Sequence, residues 1–102
     1  MAQPMITTLQ DELVTSLSTS ERYRVFTAAP RRIVFDVIRE ADSSLELATL
    51  ASRVRENADE DMAIPDGDAL LIELHHIHLP IMDEAGILEY DIRTRTAYPV
   101  SE

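Results

Sequence analysis

The change of period at Gly86 constrains the fold of this chain more than any other feature. Before it, apolar side chains recur at helical spacing through Leu71, Leu74, Ile77 or His78, Ile81 and Ala85, which gathers them on one face of an α-helix. After it, ILEY alternates with a strand's period, DIRTR supplies a turn, and TAYPV reads as a return strand. Gly86 suits the left-handed residue that ends a helix, because glycine has no side chain to clash there. The chain is thus expected to form a long helix over residues 68–85 that runs directly into one β-hairpin. Pro80 lies inside that helix without a backbone donor, so the carbonyl of His76 loses its partner and a kink is expected nearby.

Upstream, Ile6, Leu9, Leu13 and Leu17 are spaced by three, four and four residues, one narrow stripe on a helix over residues 5–17. Thr8 with Asp11 resembles a capping start. Residues 1–20 are therefore expected to form an N-terminal amphipathic helix. Its seam either packs on a partner subunit, making Ile6, Leu9, Leu13 and Leu17 dimerisation residues, or lies on its own core. Tyr23, Phe26 and Ala29, then Ile33, Val34, Val37 and Ile38, continue the helical period. Pro30 divides them into a short helix and a new one with proline in its first turn. Ser43 with Glu46 gives a Ser-x-x-Glu capping box, expected to open a helix through Arg55 that buries Leu47, Leu50, Ala51 and Val54. Residues 57–67, NADEDMAIPDG, form an acidic turn-rich loop. The fold class expected is α+β, mostly α: residues 21–102 make one domain of three core helices closed by a two-stranded hairpin, with the additional helix before it.

A chain of 102 residues can bury an ordinary core without a metal or a disulfide, and it has no cysteine with which to build either a thiolate zinc site or a disulfide. No apolar run approaches the roughly 20 residues needed to cross a bilayer, and Met1 to Leu13 lack the basic start and apolar centre of a signal peptide. A soluble, cytoplasmic protein is expected. Its 19 acidic residues outnumber 9 basic ones, all of them arginine, for a net charge of −10. Absence of lysine beside abundant carboxylates matches the compositional bias of extreme halophiles, whose acidic surfaces stay hydrated in molar salt. In dilute buffer such a domain repels nucleic acid, but at molar salt the Debye length is about 3 Å and long-range repulsion largely vanishes. Local arginine placement then decides whether DNA can be bound.

The order helix, helix, long helix, Glu-Ala-Gly-Ile-Leu, hairpin resembles the winged helix-turn-helix domain. LPIMDEAGILEYD, residues 79–91, is similar to the junction between recognition helix and wing in bacterial and archaeal repressors. AAPRRIVFDVI resembles a helix start of arsenical-repressor-like regulators. With LHHIHLP and the lack of lysine, the nearest resemblance is to small haloarchaeal winged-helix domains, over about residues 21–98. The resemblance implies that residues 68–85 are the recognition helix, with Glu73, His75 and His76 facing DNA bases. It places Arg93 and Arg95 at the wing tip on phosphates, and Arg31 and Arg32 at a helix start near the DNA backbone. Two departures stand against this: about ten residues, an acidic stretch, separate Arg55 from the next helix, and the recognition helix lacks the Arg, Lys, Asn or Gln that read base edges in pairs.

His75 and His78 are one turn apart and could share a metal with Glu73 or Asp83, yet no spacing matches a known ligand motif; packing and partner-facing roles are the alternative. Carboxylate pairs such as Glu60-Asp61 and Asp83-Glu84 are expected throughout so acidic a chain and do not by themselves indicate acid–base chemistry. With Gly67 and Gly86 its only glycines, a glycine-rich phosphate loop is excluded. The chain is expected to be neither an enzyme nor a cofactor protein. Its expected role is a homodimeric regulator bound to double-stranded DNA, with a winged-helix domain that binds a protein partner as the alternative. The arginines either contact phosphate, for which their planar fork is suited, or balance neighbouring Asp36, Glu89 and Asp91.

Overall fold

Ser18 opens α1 (Thr19–Phe26) with a capping box: its hydroxyl accepts the Glu21 N–H at 3.1 Å, and the Glu21 carboxylate accepts the Ser18 N–H at 2.9 Å. The computed structural model describes residues 17–100, so Ile6, Leu9, Leu13 and the Thr8–Asp11 capping start lie outside the described residues. Leu17, the last member of that seam, is buried in the domain's own core, which corrects its assignment as a dimerisation residue. The expected apolar face of α1 is also corrected. Tyr23 is 75% exposed, whereas Val25, roughly 200° around the helix from it, is fully buried. Phe26 is half-buried and meets Phe35 edge-on at 5.4 Å.

The break at Thr27–Ala28 falls before Pro30, as expected, and α2 (Ala29–Ala41) carries the proline in its first turn and buries Ile33, Val34, Val37 and Ile38. Asp42, in the left-handed region at φ 57°, ends it. The anticipated Ser43–Glu46 capping box does not form. Leu45–Glu46 instead make a short strand, β1, and Glu46 precedes α3 (Leu47–Glu56) without a side-chain cap. Pairing across the sheet takes precedence over the local motif, since two ladder positions are gained there. The expected buried face of α3, Leu47, Leu50, Ala51 and Val54, is observed in full.

The long helix is present but not uniform. It runs as α4 (Gly67–Glu73), a π-helical turn (Leu74–His78) and α5 (Leu79–Glu84). The Leu79 N–H reaches back five residues to the Leu74 carbonyl, and this wider turn stands beside Pro80, where a kink was anticipated. It also shifts the buried face. Leu70, Leu74, His78, Leu79 and Met82 are buried, while Leu71, Ile81 and Ala85 are only half-buried and Ile77 is exposed. Gly86 ends α5 at φ 82°. Its N–H donates to Asp83 at 2.9 Å and that of Ile87 to Met82 at 3.2 Å, the paired return bonds of a Schellman motif.

Strands β2 (Leu88–Asp91) and β3 (Thr96–Pro99) form the hairpin, and β1 adds to it on the β3 side, in the order β1-β3-β2. The sheet is therefore antiparallel and three-stranded, one strand more than the two anticipated. Leu45 and Tyr90 both face Ala97 in register, so the buried side chains of the sheet lie over the helices, while Glu89 and Tyr98 face outward. Leu50, Val54, Leu70, Leu74, Leu79, Met82 and Leu88 fill one core with Val34 and Ile38. Burial of each such side chain contributes about 1.5–3 kcal/mol. The result is an α+β, mostly helical, winged-helix-like fold in which the hairpin stands beside the long helix.

Candidate functional site

Arg31 and Arg32 begin α2, but both side chains turn back to finish α1. Arg31 is buried: its Nε donates to the Val25 carbonyl at 2.8 Å and its Nη2 to that of Arg24 at 2.9 Å. Nη1 of Arg32 donates to the carbonyls of Phe26 and Thr27 at 2.7 and 3.0 Å. A helix leaves its last carbonyls without internal donors, and these two guanidinium groups supply them. The expectation that Arg31 touches the DNA backbone is corrected, because none of its three bonding nitrogens faces solvent. Arg32 is exposed yet committed to the cap.

Glu73 is likewise not a groove residue. Its Oε1 accepts from Nε2 of buried His78 at 3.2 Å, and Nδ1 of His78 receives Nη1 of Arg31 at 2.9 Å. Burial, more than any neighbour, holds the His78 pKa below the usual 6.5; Arg31 adds to that and Glu73 opposes it. His78 is thus a neutral packing group inside a polar chain.

His75, His76 and Arg95 do come together. With Glu46, Leu47, Leu71, Ile72 and Thr94 they line an open groove of about 400 Å³ between α4, the start of α3 and the hairpin turn. The imidazoles of His75 and His76 meet edge-on at 4.6 Å. Nδ1 of His75 is 2.5 Å from the Tyr90 hydroxyl, so β2 fixes its ring, while His76 is exposed. Desolvation first, then His76 and Arg95, lower the His75 pKa; burial raises that of Tyr90 and keeps its phenol protonated. His75 therefore sits in the groove as a neutral ring with a fixed orientation.

The hairpin turn is built to carry arginines. Oδ1 of Asp91 accepts the N–H of Arg93 at 2.9 Å and that of Thr94 at 3.3 Å, an Asx-type turn. Arg95 adopts φ 53°, a region that costs a side-chain-bearing residue roughly 1–2 kcal/mol, and its carbonyl accepts the Leu47 N–H at 2.8 Å. Among the described residues, the side chains of Arg53, Arg93 and Arg95 make no hydrogen bond or ion pair. Asp91 accepts the turn's backbone N–H groups and Asp36 pairs with Arg39, so neither makes an ion pair with a wing arginine.

The remaining candidates have structural partners. Oδ2 of Asp83 accepts the Tyr90 N–H at 2.8 Å, and Glu84 lies 3.5 Å from Arg24. Among the described residues no group of three or more His, Cys, Asp or Glu side chains is placed to hold a metal, and no helix is long and apolar enough to cross a membrane. The π turn and the capping arginines were not anticipated. Pro80 signalled the first; nothing short of the α1–α2 angle signals the second.

Fold and groove together define a helical domain with a hairpin wing set beside its longest helix. Residues 23–98 match the family described as a domain of unknown function, DUF7344, and the chain belongs to that family. No curated protein and no solved structure matches it.

Proposed function

We propose that this chain is a DNA-binding transcriptional regulator of winged-helix type, working as a homodimer in the cytoplasm of a salt-adapted cell and catalysing no reaction. The observation that carries this reading is the wing turn. Among the described residues Arg93 and Arg95 have no acidic partner, and Arg95 is kept in a backbone conformation that favours glycine. A side chain retained at such a cost points to use. Phosphate oxygens suit two unpaired guanidinium groups, and His76, with His75 behind it, is the polar group of the long helix nearest to reach a base edge from the same groove. Glu73 and Arg31 have no part in this contact. Two copies bind better than one domain with so small a basic surface, and with Leu17 in the core the proposed dimer contact falls to Ile6, Leu9 and Leu13.

Exposure of Ile72 and Ile92, at 58% and 60%, favours the second reading, a module that binds protein through the same face. Selection of host genomic fragments by the full chain in roughly molar KCl separates the two. Discrete enriched fragments support the regulator. A folded protein that enriches nothing overturns it in favour of a protein partner.

A further inference from the structure

His78 stands between a cation and an anion inside the fold. Arg31 and His78 are 8% and 5% exposed, and a guanidinium can only donate. Nδ1 of His78 therefore presents its lone pair to Arg31, and the ring proton sits on Nε2, facing Glu73. Arg31 also holds the Arg24 and Val25 carbonyls. One unbroken chain of charge-assisted bonds thus runs from the end of α1, through the first turn of α2, to the π turn and α4.

A second proton on the imidazole breaks that chain at one bond. Nδ1–H would then face Nη1–H, two donors and two positive charges at hydrogen-bond distance in a buried place, while the bond to Glu73 would strengthen. The charged groups around His78 are Arg31 from α2 and Glu73 from α4. Arg24 of α1 stands behind Arg31 and is itself paired with Glu84 of α5. Acid therefore moves His78 from Arg31 to Glu73, and separates the helix bearing the groove histidines from the α1–α2 junction. His78 is the last residue of the π turn, the element that also carries His75 and His76.

We propose that Arg31, His78 and Glu73 form a proton-operated latch, which ties the π turn to the α1–α2 junction at neutral pH and lets it go in mild acid. The latch does not depend on what the groove binds. In the closed form His75 and His76 are held toward the groove; in the open form the turn is free to take another bond pattern.

The test is NMR of the nitrogen-labelled full chain in roughly molar KCl, following imidazole nitrogens and backbone amides from about pH 8 to about pH 5. The expected result is an Nε2–H tautomer for His78 at the upper end. As that ring titrates, amides of residues 74–79 and of Val25 and Arg31 shift with its midpoint. In His78→Gln, whose amide can accept from Arg31 and donate to Glu73 but takes up no proton, those shifts disappear. A proton on Nδ1 at the upper end overturns the proposal, as do amide shifts that persist in His78→Gln. Should that variant not fold, the wild-type spectra decide: amides that do not follow the His78 imidazole, or do not move, contradict the latch.

Discussion

The carboxylate of Asp91 accepts the backbone N–H of Arg93 at 2.9 Å, so the two residues meet through the main chain, and among the described residues the Arg93 guanidinium makes no ion pair. Asp91 shapes the wing without pairing with its guanidinium groups. Asp91→Ala is expected to lower stability by about 1 kcal/mol, the typical net worth of a hydrogen bond, with part of a second lost at Thr94. Urea unfolding in molar KCl measures this, and an unchanged midpoint would remove Asp91 from the turn's architecture.

Arg95 separates stability from binding. Arg95→Gly relieves the left-handed strain but loosens the unfolded chain, two terms of similar size, so stability should stay within about 1 kcal/mol of wild type. On the proposed function DNA affinity should fall, because the guanidinium proposed to meet phosphate is gone. Parallel melting and binding curves check it. Strong destabilisation would mean that the Arg95 side chain is structural.

The two capping arginines should differ. Arg31→Ala strands the carbonyls of Arg24 and Val25 and the Nδ1 of His78 in the interior, and is expected to cost about 3 kcal/mol or more. Arg32→Ala exposes carbonyls that water can reach, and should cost about 1 kcal/mol or less. Denaturant unfolding of both variants tests the order, and equal losses would contradict the burial argument.

Stability should depend on pH in two separate windows. The folded-state pKa of His78 is depressed, so the unfolded chain binds the proton more readily, and stability rises with pH through this range. Its contribution is complete above the ordinary histidine value of 6.5 and is lost progressively as pH falls below it. Glu21, whose capping bonds to Ser18 lower its pKa, contributes above 4.5 and is lost as pH falls beneath that. Melting temperature against pH should show the upper step shrink in His78→Gln to the part that His75, also depressed, contributes, and the lower step vanish in Ser18→Ala; an upper step left intact by His78→Gln would contradict a contribution from His78.

The hairpin, the Gly86 stop and the buried face of α3 were legible in the sequence because local period and glycine chemistry determine them. The face of the long helix was legible only in part. A period of 3.6 residues points to Leu71, Leu74, Ile77 or His78, Ile81 and Ala85; Leu74 and His78 are buried, but Leu70 takes the place of Leu71, and past the π turn beside Pro80 the buried face passes to Leu79 and Met82. Ser43 and Glu46 look like a cap until β3 recruits Leu45–Glu46 as a strand, a pairing between residues some fifty positions apart. Within the candidate site, the sequence reading put His75 and His76 on the long helix and Arg95 on the wing, and the fold brings the three to one groove. Arg31 and Glu73 do not join them, because each finds a partner in His78: Arg31 is buried by packing, and Glu73, still partly exposed, accepts from the imidazole. Their shared partner, His78, was legible only as a half-buried residue.

The central claim is that the wing arginines hold DNA. Its most direct measurement is the affinity of wild type and of Arg93→Glu, Arg95→Glu for a fragment enriched from the genome, as a function of KCl concentration. Because neither side chain makes a bond among the described residues, the variant should melt within about 0.5 kcal/mol of wild type. The account predicts affinity reduced at least about tenfold and a salt dependence shallower by about two counterions. Equal affinity and equal slope in a folded variant would contradict it.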